Sequence, residues 1–334
     1  MQAGDKIFVA GHRGLAGSAI VRKLRSLGYE NLVLRTRQEV DLEDWDAVRR
    51  FFDEQRPEYV FLAAAKVGGI LANRNFPADF ISRNLRIQSN VIEGACRTGV
   101  KRLLFLGSSC IYPRLAPQPI NEEQLLSGPL EFTNRSYAVA KIAGIEMCWA
   151  FNRQHGTRYL AAMPTNLYGL GDNYDLASSH VLPALIRKVH DARLKGEPLT
   201  VWGSGKPLRE FLFSDDMADA CVFLLNLEEE RFQELIGNPE AAPLVNVGSG
   251  SELTIEELAR KVCAVLDFKG QVVFDASKPD GTPRKLMDSS RLFGYGWRPK
   301  VSLEEGIRIA YDEFRSTVAD RDEALTSDLR GAKR

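Results

Sequence analysis

Short, continuously apolar runs alternate with amphipathic stretches through the first half of the 334-residue chain. The runs are "KIFVAG" (6–11), "NLVLRT" (31–36), "YVFLAAA" (59–65), "RLLFLGSS" (102–109) and "YLAAMPTNLYG" (159–169). Between them, "AGSAIVRKLRSLG" and "LEDWDAVRRFFDEQ" set apolar residues at helical spacing. A strand apolar along its whole length must be covered on both faces, and intervening helices supply the cover. The pattern therefore predicts an α/β protein with a Rossmann-type doubly wound parallel sheet. Beyond Gly169 the pattern loosens: 169–180 reads as a loop, 180–196 as a helix and 199–213 as a hairpin-like pair of strands. Residues 214–229 read as a helix capped by Ser214 or Asp215, and 243–248 as a strand returning to the sheet. Two late helices open with Thr254 and Glu257, and with Ser302 and Glu305, at capping-box spacing. The expected division is a Rossmann domain over 1–168, with 211–249 returning to it. A smaller C-terminal α/β domain takes 169–210 and 250–315, and 316–334 forms a polar tail.

Composition narrows the partners. Forty-four basic side chains balance 44 acidic ones, so no charge excess points to nucleic acid or a membrane surface. The five cysteines, Cys96, Cys110, Cys148, Cys221 and Cys263, are odd in number and show no CxxC pair. That argues against a disulfide scaffold and a zinc site and suits a reducing compartment. The opening "MQAGDKIFVAGHRG" leaves no room for an apolar leader before the first strand, and no apolar stretch has membrane-span length. A cytoplasmic protein without a bound metal is the expectation.

Candidate chemistry begins at the first strand-to-helix turn. Gly11, Gly14 and Gly17 in "GHRGLAG" permit close approach of a pyrophosphate to the backbone at a helix N-terminus. Where an NAD site would place an acid after the second strand, the chain has "RTR". With Arg13, Arg37 offers a 2′-phosphate a charge-assisted fork and argues for NADP(H); exposed surface arginines are the plain alternative. Tyr137 and Lys141 in "SYAVAK" are one helical turn apart, and a cationic Lys beside the phenol would lower the Tyr pKa. Ser108 and Ser109 lie just past a central strand, where an open α/β sheet binds its ligand. A serine hydroxyl, a Tyr and a Lys together would polarise a carbonyl. Cys110 is either a packing residue or, as thiolate, a base. His180 is either a loop histidine capping the next helix or a general acid. Lys188, Trp202, Arg209, Arg284 and Lys285 offer cations and a stacking face to a nucleoside diphosphate. "GSGK" at 203–206 is not a P-loop, since Thr200 and Pro207 stand where Gly and Ser or Thr are required.

With its glycine turn, Ser and Tyr-x-x-x-Lys in this order, the chain resembles the extended short-chain dehydrogenase/reductase family. "VAGHRGLAGSAI", "LAAAKVGGI", "LFLGSSCIYP", "YAVAKIAG", "MPTNLYG", "WGSGKPLREFL" and "FDASKPDGTPRK" carry a closer likeness, from about residue 6 to 312. It is to the members that epimerise and reduce GDP-4-keto-6-deoxy-D-mannose with NADPH. The resemblance implies Cys110 as base, His180 as acid, Tyr137 as proton donor to the C4 oxygen, and Ser108 as the catalytic serine of "GSSC". Geometry alone leaves Ser109 open. Lys141, or charge on the bound cofactor, would favour ionisation of Cys110. Implied cofactor contacts are Gly11, His12, Arg13, Gly14, Leu15, Ala16, Gly17, Arg37, Asp41, Leu42, Leu106, Gly107, Ser108 and Ser109, with Lys141, Pro164, Thr165, Asn166, Leu167 and His180. Lys188, Trp202, Arg209 and Asp280 would touch the GDP-sugar, although Lys188 stands where the family commonly has a bidentate Arg. A homodimer formed by the helices around 84–99 and Tyr137 is also implied. Two rivals within the family are disfavoured: a 4,6-dehydratase would carry an acidic pair beside the serine, and a 4-epimerase would carry an acid after strand two. A non-catalytic cofactor-binding regulator on this fold would be expected to lack Tyr137, Lys141 or Ser108.

Overall fold

The computed structural model describes residues 1–278 and 280–319. The first half alternates as expected: β1 (Ile7–Ala10), α1 (Leu15–Ser26), β2 (Leu32–Val33), α2 (Trp45–Gln55), β3 (Tyr59–Leu62), α3 (Ile70–Asn75), α4 (Pro77–Arg97), β4 (Arg102–Leu106), α5 (Arg135–His155) and β5 (Tyr159–Pro164). Then follow β6 (Asn166–Tyr168), α6 (Val181–Lys195), β7 (Leu199–Trp202), β8 (Leu208–Phe213), α7 (Ser214–Leu225), α8 (Glu229–Ile236) and β9 (Leu244–Val247). The last elements are β10 (Glu252–Thr254), α9 (Ile255–Val265), β11 (Val272–Asp275), β12 (Arg284–Lys285), α10 (Ser290–Gly294) and α11 (Leu303–Phe314).

Six strands form one parallel sheet in the order β2-β1-β3-β4-β5-β9. Strand alternation sends Ile7, Val9, Leu104, Leu106, Leu160 and Ala162 to one face, against Ile20, Leu24, Met217 and Phe232 of α1, α7 and α8. Phe8, Leu103, Phe105, Ala161 and Met163 go to the other, against Phe51, Phe52, Val91 and Ile145 of α2, α4 and α5. Apolar residues on both faces of each strand are thus the signature of a three-layer sandwich. A third core, built on Leu185, Ile186, Val201, Phe211, Leu258, Ile307 and Phe314, holds α6, α9 and α11 against the smaller sheets.

Several expectations are corrected. The run 31–36 contributes only two strand residues, and 159–169 is cut at Thr165 into β5 and β6, because β6 leaves the main sheet to pair with β8. Residues 199–213 are not a hairpin: β7 pairs in parallel with β11, while β8 lies between β10, β6 and β12. The connection is held open from outside. The Asp280 carboxylate accepts from the Ser204 amide and hydroxyl at 2.9 and 2.7 Å, and the Gly205 and Pro207 carbonyls accept from the Glu256 and Ile255 amides. The N-cap of α7 is Phe213, without a side-chain cap, so neither Ser214 nor Asp215 serves. Asp215 instead binds Arg22 at 2.9 and 3.1 Å, which fastens α7 to α1. Thr254 and Glu257 make a complete capping box, whereas only the Ser302 half of the second forms. The start of the expected tail continues α11 as a π-helical turn (Arg315–Ala319), and the rest of it lies outside the described residues.

The loop from Gly169 to His180 is anchored to α11, where the Gly171 amide donates to both oxygens of Glu313 at 2.9 and 3.0 Å. Beside it one Asp172 oxygen accepts from the Asn173 amide at 2.7 Å, and the other is buried without a partner. Burial, and then Glu313, push this carboxyl up to about 7. A raised folded-state pKa gives stability that is complete below the unfolded value of about 3.9 and is lost as pH rises through the folded value. Asp172→Asn is therefore expected to melt above wild type at pH values past 7, with the difference closing in acid; parallel melting curves across pH would contradict this. For the capping box, Thr254→Ala should cost about 1 kcal/mol, read as a lower denaturant midpoint at unchanged slope.

Candidate active site

Because β1, β4 and β5 are parallel, the loops after Ala10, Leu106 and Pro164 emerge at one edge of the sheet. Strand order reverses between β1 and β3, so that edge contains the switch-point crevice where such sheets bind ligands. Gly11 takes a φ of +85°, and a Cβ there would press on the Ala64 amide nitrogen at 2.7 Å. A Cβ on Gly17 would strike the Gly11 carbonyl, whereas one on Gly14 would meet only that carbonyl oxygen, at 3.6 Å. Gly17 is thus required by the packing of α1 against the turn after β1, Gly11 by the close approach of the Ala63–Ala64 backbone past β3, and Gly14 leaves the turn open. No side chain caps α1, so its first-turn amides remain for a ligand, and Nδ1 of His12 is buried there without a partner. Leu15 and Ala16 open α1 itself. The pyrophosphate of a dinucleotide fits these donors.

Arg37 lies past β2 as expected, with Asp41 and Glu43 at 3.3 and 3.0 Å. Glu43 also takes Arg83 and Arg86, each at 2.8 Å, so Arg37 is held in a charged network. Leu42 packs partly into the core beneath. At the other loops, a Cβ on Gly107 would collide with the Met163 side chain. Thr165 and Asn166 both donate to the Glu210 carbonyl, at 3.3 and 2.8 Å, and so fix the turn between Pro164 and Leu167.

Ser108 caps a single 3₁₀ turn (Ser109–Ile111), with its Oγ accepting from the Cys110 amide at 3.3 Å. The Tyr137 phenol meets the Ser108 hydroxyl, while Ser109 is buried in the turn. Ser108 is therefore the hydroxyl aligned with the phenol. Lys141 is 3% exposed and donates to the Leu106 carbonyl at 2.7 Å, with its Nζ 4.6 Å from the Phe105 ring centre and 5.9 Å from that of Tyr137. Burial brings the Lys141 ammonium down to about 7. The expected lowering of the Tyr137 pKa is not found. Burial, then Cys110, raise it well beyond the usual phenol value, against a hydrogen bond from Ser108. A phenol that keeps its proton is in the form a donor needs.

Cys110 is half-buried with a free thiol. Its neighbours differ from expectation: Lys141 points to Leu106, and the sulfur instead accepts from Nδ2 of Asn134 at 3.1 Å and faces Nζ of Lys285 at 3.9 Å. Asn134 was not among the residues singled out in the sequence, where it stands just ahead of "RSYAVAK" without a distinguishing pattern. Lys285 was legible only as a cation for a diphosphate. Arg284, the other cation expected there, is neutralised by Glu252 at 2.8 and 2.9 Å. His180 holds the N-cap backbone position of α6 without a side-chain cap, and desolvation lowers its pKa. The loop ending at His180 packs on Gly69, where a Cβ would meet the Ser178 carbonyl at 3.3 Å, and neighbouring Gly68 packs on Phe80, whose ring meets that of Tyr137 edge-on.

The residues expected at the substrate end gather around β7 and β8. Alternation along β7 buries Leu199 and Val201 and leaves Trp202 49% exposed. Nζ of Lys188 and of Lys278 stand 4.4 and 5.6 Å from its ring centre. Arg209 donates to the Leu208 carbonyl at 2.7 Å and faces Lys285 in the β8–β12 register. Asp280 has both oxygens on Ser204, so it shapes the loop beside Arg209. Among the described residues no cluster of His, Cys, Asp and Glu is arranged to hold a metal ion, and no helix is long and apolar enough to cross a membrane.

Comparison with known proteins places this geometry. The NAD dependent epimerase/dehydratase family matches residues 7–236. The chain is 57% identical over 317 residues to GDP-L-fucose synthase 1 of Arabidopsis thaliana, covering 95% of each chain. It is 53% identical over 311 residues to GDP-L-fucose synthase of Escherichia coli, covering 93% of this chain and 96% of that one. The fold is similar to the crystal structure of a GDP-L-fucose synthetase from Naegleria fowleri bound to NADP, with a TM-score of 0.83 and 28% identity over 95% of each chain. The match over residues 7–236 and the near-full-length relatives show that the chain belongs to the NAD dependent epimerase/dehydratase family.

Proposed function

We propose that this chain converts GDP-4-keto-6-deoxy-D-mannose to GDP-L-fucose by 3,5-epimerisation followed by NADPH-dependent reduction at C4. The single observation that carries the reading is a free thiol, Cys110, two residues from the serine that meets the donor phenol, at the ligand-binding edge of a dinucleotide fold. A 4-ketone acidifies the hydrogens on C3 and C5, so a base beside the group holding the C4 oxygen can remove them, and an acid on the opposite face can return them. Ser108 and Tyr137 hold the C4 oxygen as it gains negative charge. Cys110 takes the proton and His180 delivers one from the other side.

NADPH, when bound, supplies the hydride to C4. The glycine turn, His12 and the α1 amides would hold its pyrophosphate, Arg13 and Arg37 its 2′-phosphate, and Lys141 its ribose. Tyr137, kept protonated by burial, then donates to the same oxygen. Trp202, Lys188 and Arg209 bind the GDP end. Five unpaired cysteines favour a cytoplasmic setting, and the packed α4–α5 face, with Val139 exposed, is read as the homodimer surface.

In D2O, wild type is expected to place deuterium at C3 and C5, oxidise NADPH and release GDP-L-fucose. Cys110→Ser should lose about 100-fold or more of the exchange while retaining hydride transfer to an unepimerised sugar. Equal exchange in the two proteins would remove Cys110 as the base, and no NADPH oxidation by folded wild type would remove the substrate. Tyr137→Phe should lower hydride transfer by roughly 100-fold; an unchanged single-turnover rate would assign the proton donor elsewhere.

A further inference from the structure

The Cys110 sulfur has two donors from outside the motif that positions it: the Asn134 amide just before α5, and the Lys285 ammonium at the end of β12. Both are hydrogen-bond donors, and a sulfur between two donors is better satisfied as thiolate than as thiol. Lys285 is not on a loose arm. Its strand pairs with β8, the following residue donates from its amide to Gln118 Oε1 at 2.8 Å, and the Leu286 carbonyl accepts from the Ile120 amide at 2.8 Å. The acids near it are committed elsewhere: Glu252 is paired with Arg284, and Glu131, across the same cleft, with Arg114 at 3.2 Å. Among the described residues Lys285 has no carboxylate within ion-pair distance. Tyr137, which also senses the sulfur, is held neutral by burial, and Arg114 and Arg284, which line the same cleft, are paired with Glu131 and Glu252.

Resting on the reaction proposed above, we propose that Lys285 and Asn134 are the positioning pair that keeps Cys110 a thiolate for proton abstraction. The S–H bond forms as the C–H bond at C3 or C5 breaks, and the electron pair moves onto the C4 oxygen at Ser108 and Tyr137. Lys285 keeps all its protons, and the thiol afterwards returns its own to water. Since Lys285 stands opposite Arg209 in the β8–β12 register, the strand that readies the thiol also adjoins the proposed diphosphate contact.

The test is the pH profile of Cys110 alkylation by iodoacetamide, followed on the Cys110 peptide by mass spectrometry in the intact protein. In Lys285→Met the midpoint is expected to rise by about one unit and alkylation at neutral pH to slow about tenfold. Lys285→Arg should restore most of the shift, and Asn134→Leu should raise the midpoint independently. Deuterium exchange at C3 and C5 in Lys285→Met should fall about tenfold at neutral pH and recover as pH rises. Profiles that superimpose on wild type in Lys285→Met and Asn134→Leu overturn the proposal; a higher KM alone in Lys285→Met would assign that residue to the diphosphate. Cys110-dependent exchange in that case leaves the reaction standing. Absence of exchange in wild type removes the reaction, and the alkylation profiles still decide whether Lys285 and Asn134 set the thiol.

Discussion

The parallel register of β1, β4 and β5 is the constraint from which the site follows. It brings the glycine turn, the "GSSC" segment and the Pro164–Leu167 turn to one edge, and burial on both faces fixes that register, since a one-residue slip would exchange the two apolar sets. α5 is packed on the sheet by Ile142, Ile145 and Cys148, and so holds Tyr137 and Lys141 over the end of β4. Tyr137 and Lys141 are therefore carried on an element anchored in the core.

Desolvation then sets their protonation. Tyr137 stays a phenol and Lys141 sits near neutrality because neither has an opposite charge to offset burial. The Cys110 sulfur has the Lys285 ammonium 3.9 Å away, on a strand of the smaller sheet. In the proposed reaction Ser108 and Tyr137 form one carbonyl-binding pair that serves two steps, both of which put negative charge on the same oxygen.

Much of this was legible in the sequence, for a definable reason. Continuous apolar strands and amphipathic helices are local patterns, and they located the six-stranded sheet, its order of elements and the residues at its ligand edge. The failures were non-local. Nothing in "LTVWGSGKPLREFLF" reveals that Asp280, 76 residues from Ser204, holds its two strands apart. Arg284 and Lys285 are indistinguishable as neighbouring cations until Glu252 claims the first and leaves the second for Cys110. Helical spacing reports that Lys141 is near Tyr137, while the direction of Lys141 toward Leu106 and the depth of burial that raises the Tyr137 pKa belong to the fold.

In the proposed reaction one oxyanion site serves both inversion and reduction. Its most direct measurement is Ser108→Ala assayed twice, by deuterium entry at C3 and C5 and by single-turnover oxidation of NADPH. Both rates are expected to fall together, each by about 100-fold. Loss of one rate with the other intact would contradict a shared site.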